Sequence, residues 1–284
     1  MTTRVLALLV LVCGSAQAVL AQASYVGTVG GAPVELAVND TAEGLLSGVY
    51  SYTKFGTPIA LGGQLKRGVL TLTEKNARGK PAATLTIPSF EKRANQLAGT
   101  WRSLATGKSL PVVLTATNCR ELLQVATLKD SYFRLVLQGQ PGETSRVVAV
   151  KLVAKKTNRL VQQVAVDCQS QGIHSVEVGD YNFDGQPDFS IFESSHAGPN
   201  TSSLYYLYAP STQRYVPSGF EGTSLEFDTK TKRVYERNSC CGGTTVTSAE
   251  YKVVHNKLLA VARHCFRLDE KKQEMVERPL SACQ

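Results

Sequence analysis

The chain is poor in several things that would point to particular functions. Among 284 residues there are one Trp, two Met and four His, and only 19% of positions are charged. No Gly-x-Ser-x-Gly, His-Glu-x-x-His or phosphate-binding glycine loop occurs, which removes the commonest signatures of α/β-hydrolases, zinc peptidases and nucleotide hydrolases. His174, His196, His255 and His264 are dispersed. Ser89-x-x-Lys92 matches the serine-lysine pair of penicillin-binding enzymes but follows Pro88 and lacks the companion elements, so it reads as chance. The sequence is therefore read as that of a non-enzyme. Long apolar runs are missing beyond the first twenty residues, so no later segment is a candidate membrane helix. A sustained helical period is absent too. The formal charge is +8, yet Lys and Arg are scattered, and the densest run, 151–159, lies between two strand patterns as a solvated hairpin turn would. Nucleic-acid binding is not expected.

What is present begins with a leader. Arg4, an apolar stretch over 5–12 and the small-residue exit Ala21-Gln22-Ala23 form a secretory signal pattern, with cleavage expected before Ser24. Val12 before Cys13 does not suit a lipoprotein signal. The mature chain is expected to be periplasmic or secreted. Of seven cysteines, removal of the leader leaves six, an even set that in an exported chain reads as disulfides, with 15 pairings open. Cys240 and Cys241 are adjacent and are expected to bond outward, to Cys265 or Cys283 for example, because a ring between neighbours is strained.

The body of the chain reads as all-β. Alternation with a period of two recurs at 25–29, 33–38, 49–52, 69–73 and 83–87, separated by Gly, Asn or Pro. Gly48 to Gly56 resembles one strand-turn unit of MORN-type repeats. Trp101 is expected to pack in the core of this first module. Beyond Cys119 the strands lengthen and turns fall every 8 to 14 residues up to 268, the pattern of a meandering antiparallel array. The expected organisation is a leader over 1–23, an N-terminal β-hairpin module over 24–117, and a calcium-binding β-propeller-like or barrel-like antiparallel domain over 118–284.

The most specific chemistry is Asp180-x-Asn182-x-Asp184-Gly185-x-x-Asp188. Oxygen donors fall at loop positions 1, 3, 5 and 9, and Gly at position 6 permits the bend that turns them toward one point. Asp180, Asn182, Asp184, Asp188 and the backbone carbonyl of Gln186 would supply five oxygens to a calcium ion, the expected cofactor. Position 12 is Ile191 rather than an acidic residue, and the flanks read as strands, so the site is not an EF-hand. The next loop carries Ser195, His196, Gly198 and Asn200 and leads into a Tyr-rich strand. If Leu204, Tyr206 and Tyr208 form its buried face, Tyr205 is the exposed aromatic anchor for a partner.

The acidic loop resembles the calcium loops of FG-GAP and integrin-type β-propeller repeats. With residues 204–210 and 225–228 it makes residues from about 120 to 284 similar to a family of periplasmic immunity proteins. Those proteins inhibit lysozyme-like effectors delivered by bacterial-killing type IV secretion systems. The resemblance implies a calcium-stabilised β fold, export to the periplasm, and a protruding loop with a Tyr that blocks a muramidase cleft, a cleft that places two carboxylates about the scissile bond. The expectation is an inhibitor or immunity protein against a lysozyme-like peptidoglycan hydrolase. The alternative is a non-catalytic cell-envelope module with a glycan or protein partner.

Overall fold

A computed structural model describes residues 22–40, 45–76, 78–91, 94–118, 120–139 and 145–283. The expected leader, 1–23, lies almost wholly outside these residues, as do Cys13 and Cys119. The described residues form an all-β protein whose only helical elements are three short 3-10 turns, at Gly172–His174, Cys241–Gly243 and Leu280–Cys283.

The N-terminal half is a closed, up-and-down barrel of β1 (Gln22–Val29), β2 (Ala32–Asp40), β3 (Leu45–Tyr52), β4 (Ile59–Lys66), β5 (Val69–Lys75), β6 (Pro81–Ile87), β7 (Gln96–Ser103) and β8 (Ser109–Ala116). β1 pairs with β8 from Tyr25↔Ala116 to Val29↔Val112, which removes both sheet edges. Alternation sends Tyr25, Leu36, Leu70, Leu72, Ile87, Val112 and Leu114 inward as a dry core. Trp101 packs against that core as the sequence suggests, its indole N–H buried without a hydrogen-bond partner. Gly27, Gly63 and Gly99 permit close backbone approach, since a Cβ at any of them would meet a neighbouring strand's carbonyl oxygen within 2.4 Å.

The C-terminal half is three successive antiparallel meanders. The first contains β9 (Glu121–Thr127), β10 (Ser131–Gln138), β11 (Arg146–Ala154) and β12 (Leu160–Gln169). The second contains β13 (Val176–Gly179), β14 (Asp188–Ser195), β15 (Thr201–Ala209) and β16 (Arg214–Pro217). The third contains β17 (Glu226–Asp228), β18 (Arg233–Cys240), β19 (Thr245–Val254), β20 (Lys257–Asp269) and β21 (Glu274–Arg278). The all-β expectation therefore holds, with the closed barrel in the N-terminal half. The middle sheet is covered on both faces. Phe189, Ile191 and Tyr206 pack with Phe133, Val150 and Leu152 of the first sheet, while Tyr205 and Leu207 pack toward Phe220 and Phe227.

Barrel and first sheet share a seam. Ala37 and Val49 on the barrel's outer face join the core of Leu122, Phe133 and Ile173. Glu35 takes a two-pronged hydrogen bond and ion pair from Arg134, with one arm at 3.0 Å. The Asn39 amide donates to Gln171 O at 3.1 Å and its oxygen accepts from the Ile173 N–H at 3.4 Å. Gly172 is required here: φ is +66°, and a Cβ would lie 2.4 Å from the Asn39 amide.

The cysteine expectation is corrected. Cys240 and Cys241 are bonded to each other at the β18–β19 turn, and Cys265 is bonded to Cys283. The β19–β20 register sets Cys265 opposite Thr247, away from the turn, and the chain end folds back over β20 to deliver Cys283. Cys168 is a fully buried free thiol, and burial pushes its pKa up to about 12.

Candidate functional site

The acidic loop connects β13 to β14, a strand-loop-strand setting as its flanks suggest. Its side chains are held by its own backbone. The Asp180 carboxylate accepts from the N–H groups of Asp184 at 3.0 Å and Gly185 at 2.9 Å, and Asp184 accepts from the Gln186 N–H at 2.8 Å. Asn182 accepts from the Asp184 N–H at 3.2 Å and donates from its amide to Asp184 Oδ2 at 3.0 Å and Asn256 Oδ1 at 3.1 Å. Gly185 has φ +85°, the left-handed turn that closes the loop.

Asp188 differs from the others because it is fully buried. Its two oxygens accept from the N–H groups of Tyr181 at 2.9 Å and Tyr208 at 2.8 Å, tying the loop to β15. Burial pushes its pKa above the usual carboxylate range, the backbone donors pull it back, and nearby Asp184 adds to the upward push. No cationic side chain bonds to Asp188 among the described residues. The Lys232 ammonium comes instead to the Phe183 carbonyl, at 3.3 Å.

This donor set suits a hard cation in its chemistry: carboxylate and amide oxygens around a glycine bend, with one buried carboxylate lacking a counter-charge. In the described geometry no three acidic, His or Cys side chains converge closely enough to form a ready-made metal centre. Gln186 is exposed, and its N–H contributes to the loop web.

The expected partner loop is the β14–β15 hairpin. Residues 196–199 at its tip are exposed, and Ser195 is partly covered, its N–H bonded to Gln169 Oε1 at 3.1 Å. His196 Nε2 lies 3.0 Å from Ser202 Oγ and 3.4 Å from Ser194 Oγ, with no carboxylate bonded to the ring among the described residues. Gly198 occupies the turn with φ +71°. Asn200, only 6% exposed, is the pin. Its amide donates to Ala197 O at 2.9 Å, Asn238 Oδ1 at 3.0 Å and Ser239 O at 2.7 Å, and its oxygen accepts from the Ser239 N–H at 2.9 Å. One side chain thus closes the hairpin and fastens it to β18.

The expectation of an exposed Tyr205 is corrected. It is 8% exposed, its ring packed 4.9 Å from Tyr181, 5.0 Å from Phe227 and 6.2 Å from Phe220 between centroids. Alternation separates Tyr205 from Tyr206 correctly, but both faces of β15 are covered, so neither face is solvent. Burial pushes the Tyr205 hydroxyl pKa up strongly.

Between the middle and third sheets opens a cavity of about 530 Å³. Glu177 on β13, Asp180 and Glu226 on β17 contribute carboxylates, and Tyr181, Tyr205 and Phe227 contribute aromatic surface, beside hydroxyls that include Thr201, Ser203 and Ser224. Sequence reasoning did not single out Glu177 or Glu226. Each sits on a different short edge strand, and only the packing of two sheets brings them to one opening.

No family model matches the sequence, and no curated protein matches it. Solved structures with some likeness include a Xanthomonas protein described as type IV secretion system related, at 11% identity over 91% of this chain and 99% of that one, TM-score 0.29. A 6-phosphogluconolactonase-like protein of Bacteroides fragilis matches at 9% identity over 90% and 93%, TM-score 0.28, and Kuenenia stuttgartiensis hydrazine synthase at 8% over 88% and 92%, TM-score 0.28. At these scores the likenesses carry no argument about what this chain does.

Proposed function

We propose that the chain is an exported, non-catalytic binding protein that inhibits a lysozyme-like peptidoglycan hydrolase by seating the β14–β15 hairpin in the enzyme's cleft. The observation that carries this reading is the Asn200 pin, which holds an exposed tip of four residues on two strands and leaves little ordering cost to be met on binding. Among the described residues no carboxylate bonds to the Ser194–His196–Ser202 cluster, which favours recognition over nucleophilic chemistry. Periplasmic or secreted placement rests on the leader pattern. In the same reading a calcium ion is held by Asp180, Asn182, Asp184, Asp188 and the Gln186 carbonyl, and its charge braces the connection that precedes the hairpin.

The test is a turbidity assay of peptidoglycan hydrolysis by a panel of lysozyme-like enzymes with chain purified from Ser24 onward. Inhibition of at least one enzyme is expected, lost in His196→Glu and Pro199→Glu, both exposed positions. Failure to slow any enzyme would remove the reading. A cell-envelope module with a glycan partner is the second reading, favoured by the hydroxyl and aromatic lining of the cavity, and a screen for soluble glycan binding tests it.

A further inference from the structure

The cavity between the middle and third sheets has features that the hairpin reading does not use. Its floor is aromatic: the Tyr181, Tyr205 and Phe227 rings meet at centroid distances of 4.8 to 5.0 Å. Its rim is acidic, with Glu177 on one edge strand and Glu226 on the other. In a chain with 31 Lys and Arg, none of those among the described residues lines this opening. The Glu177 and Glu226 carboxylates are exposed and make no hydrogen bond or salt bridge among the described residues, although His174 shares the rim and its ring feels the Glu177 charge. Glu35, Glu121, Glu250 and Glu277 are each paired with a basic side chain. Thr201 and Ser203 belong to β15, so the cavity is continuous with the arm of the hairpin.

Each alternative occupant fits these features less well. A metal ion needs converging donors, and no three acidic side chains converge here. A neutral ligand would leave two carboxylates without partners once docking excluded water, which is costly. A flat cation satisfies both elements, since a guanidinium stacks on aromatic faces and forks onto carboxylates. An opening of about 530 Å³ also has room for a long side chain.

We infer that this cavity receives an Arg or Lys side chain of the protein partner docked on the β14–β15 hairpin. The inference deepens the function proposed above and rests on it for the partner being a protein. It makes that partner locally basic, and places the complementary charge beside the hairpin in a molecule whose net charge, +8 with the leader and +7 without Arg4, would otherwise repel it.

The experiment titrates the full mature chain with tetra-arginine and tetra-lysine amides by calorimetry, with tetraglutamate and chitotetraose as controls. Both cationic peptides are expected to bind, more weakly as salt rises. Glu177→Gln/Glu226→Gln should weaken them about tenfold while leaving the thermal midpoint in place. The net positive charge of the mature chain works against non-specific binding of either peptide. No binding of the cationic peptides, equal binding by the double variant, or preferential binding of chitotetraose would each overturn the inference. His196→Glu separates the two proposals. It should lose enzyme inhibition with peptide binding intact. In the parent chain, peptide binding without inhibition of any enzyme would overturn the hairpin reading alone, and inhibition without peptide binding would overturn the cavity inference alone.

Discussion

Replacing Asn200 by Ala should loosen the hairpin without unfolding the sheets. The substitution removes four hydrogen bonds from a residue 6% exposed. The Ser239 N–H loses its acceptor, while the carbonyls of Ala197 and Ser239 and the Asn238 amide oxygen share one lost donor group. Counting the stranded N–H and one of the three acceptors at about 1–1.5 kcal/mol each, with water reaching the others, gives roughly 2–3 kcal/mol of local destabilisation. That is a factor of about 30–150 in the opening equilibrium that native-state hydrogen exchange reads. The assay follows the Ser239 and His196 amides against those of β11 in the first sheet, which should keep their protection. Asn200→Asp sharpens the test: it retains an acceptor for the Ser239 N–H but sets a carboxylate against three acceptors, so it should open the hairpin more than Ala does. If both variants exchange as slowly as the parent, the hairpin is held by something other than this residue and the argument fails.

Calcium at about ten to a hundred times a dissociation constant of roughly 10⁻⁴ to 10⁻³ M should stabilise the fold by about 1.4–2.7 kcal/mol, seen as a rise in thermal midpoint. Asp184→Ala should abolish the response, and an equal response in that variant would exclude the loop as the binding site. At alkaline pH, Tyr50 and Tyr251 should destabilise the protein. Burial and a neighbouring Glu raise both hydroxyls, Tyr251 to about 12, so above pH 10 the unfolded chain releases protons that the folded chain retains. Stability is then complete below pH 10 and falls by about 1.4 kcal/mol per pH unit for each Tyr until the folded group ionises. Denaturant midpoints that stay flat from pH 10 to 11.5 would contradict this. Glu35→Ala should cost about 2 kcal/mol in urea melts, less than a fully buried pair, because the side chains of Arg134 and Glu35 are 18% and 24% exposed. Glu35→Ala/Arg134→Met should recover part of the loss.

Period-two alternation made most strands legible: 244–254 and 258–268 reappear as β19 and β20 with small changes at their ends, although Cys265 alone is buried along β20. Other features left no local trace. Barrel closure depends on Tyr25 to Val29 meeting Val112 to Ala116, a pairing that neither segment announces. β4 was missed because Gly62 and Gly63 interrupt its alternation. Tyr205 shows the limit of alternation, which says which residues share a face but not whether that face is covered. The acidic loop was found because its ligand-like residues are consecutive in the chain. The acidic rim was missed because Glu177 and Glu226 lie on separate edge strands. The Cys240–Cys241 bond ran against steric expectation, and Cys265 is instead taken by Cys283 when the chain end folds back over β20.

Closure of the barrel also sets an order of assembly. Strands β2 to β8 each pair with a sequence neighbour and can zip together as successive hairpins, whereas the second edge of β1 waits for β8, with Val29 meeting Val112. A chain emerging from its N-terminus first must therefore carry Tyr25 and Val29 half-paired until the eighth strand arrives. For that interval, the opening segment is the place where a chaperone or a second chain would find a free strand edge.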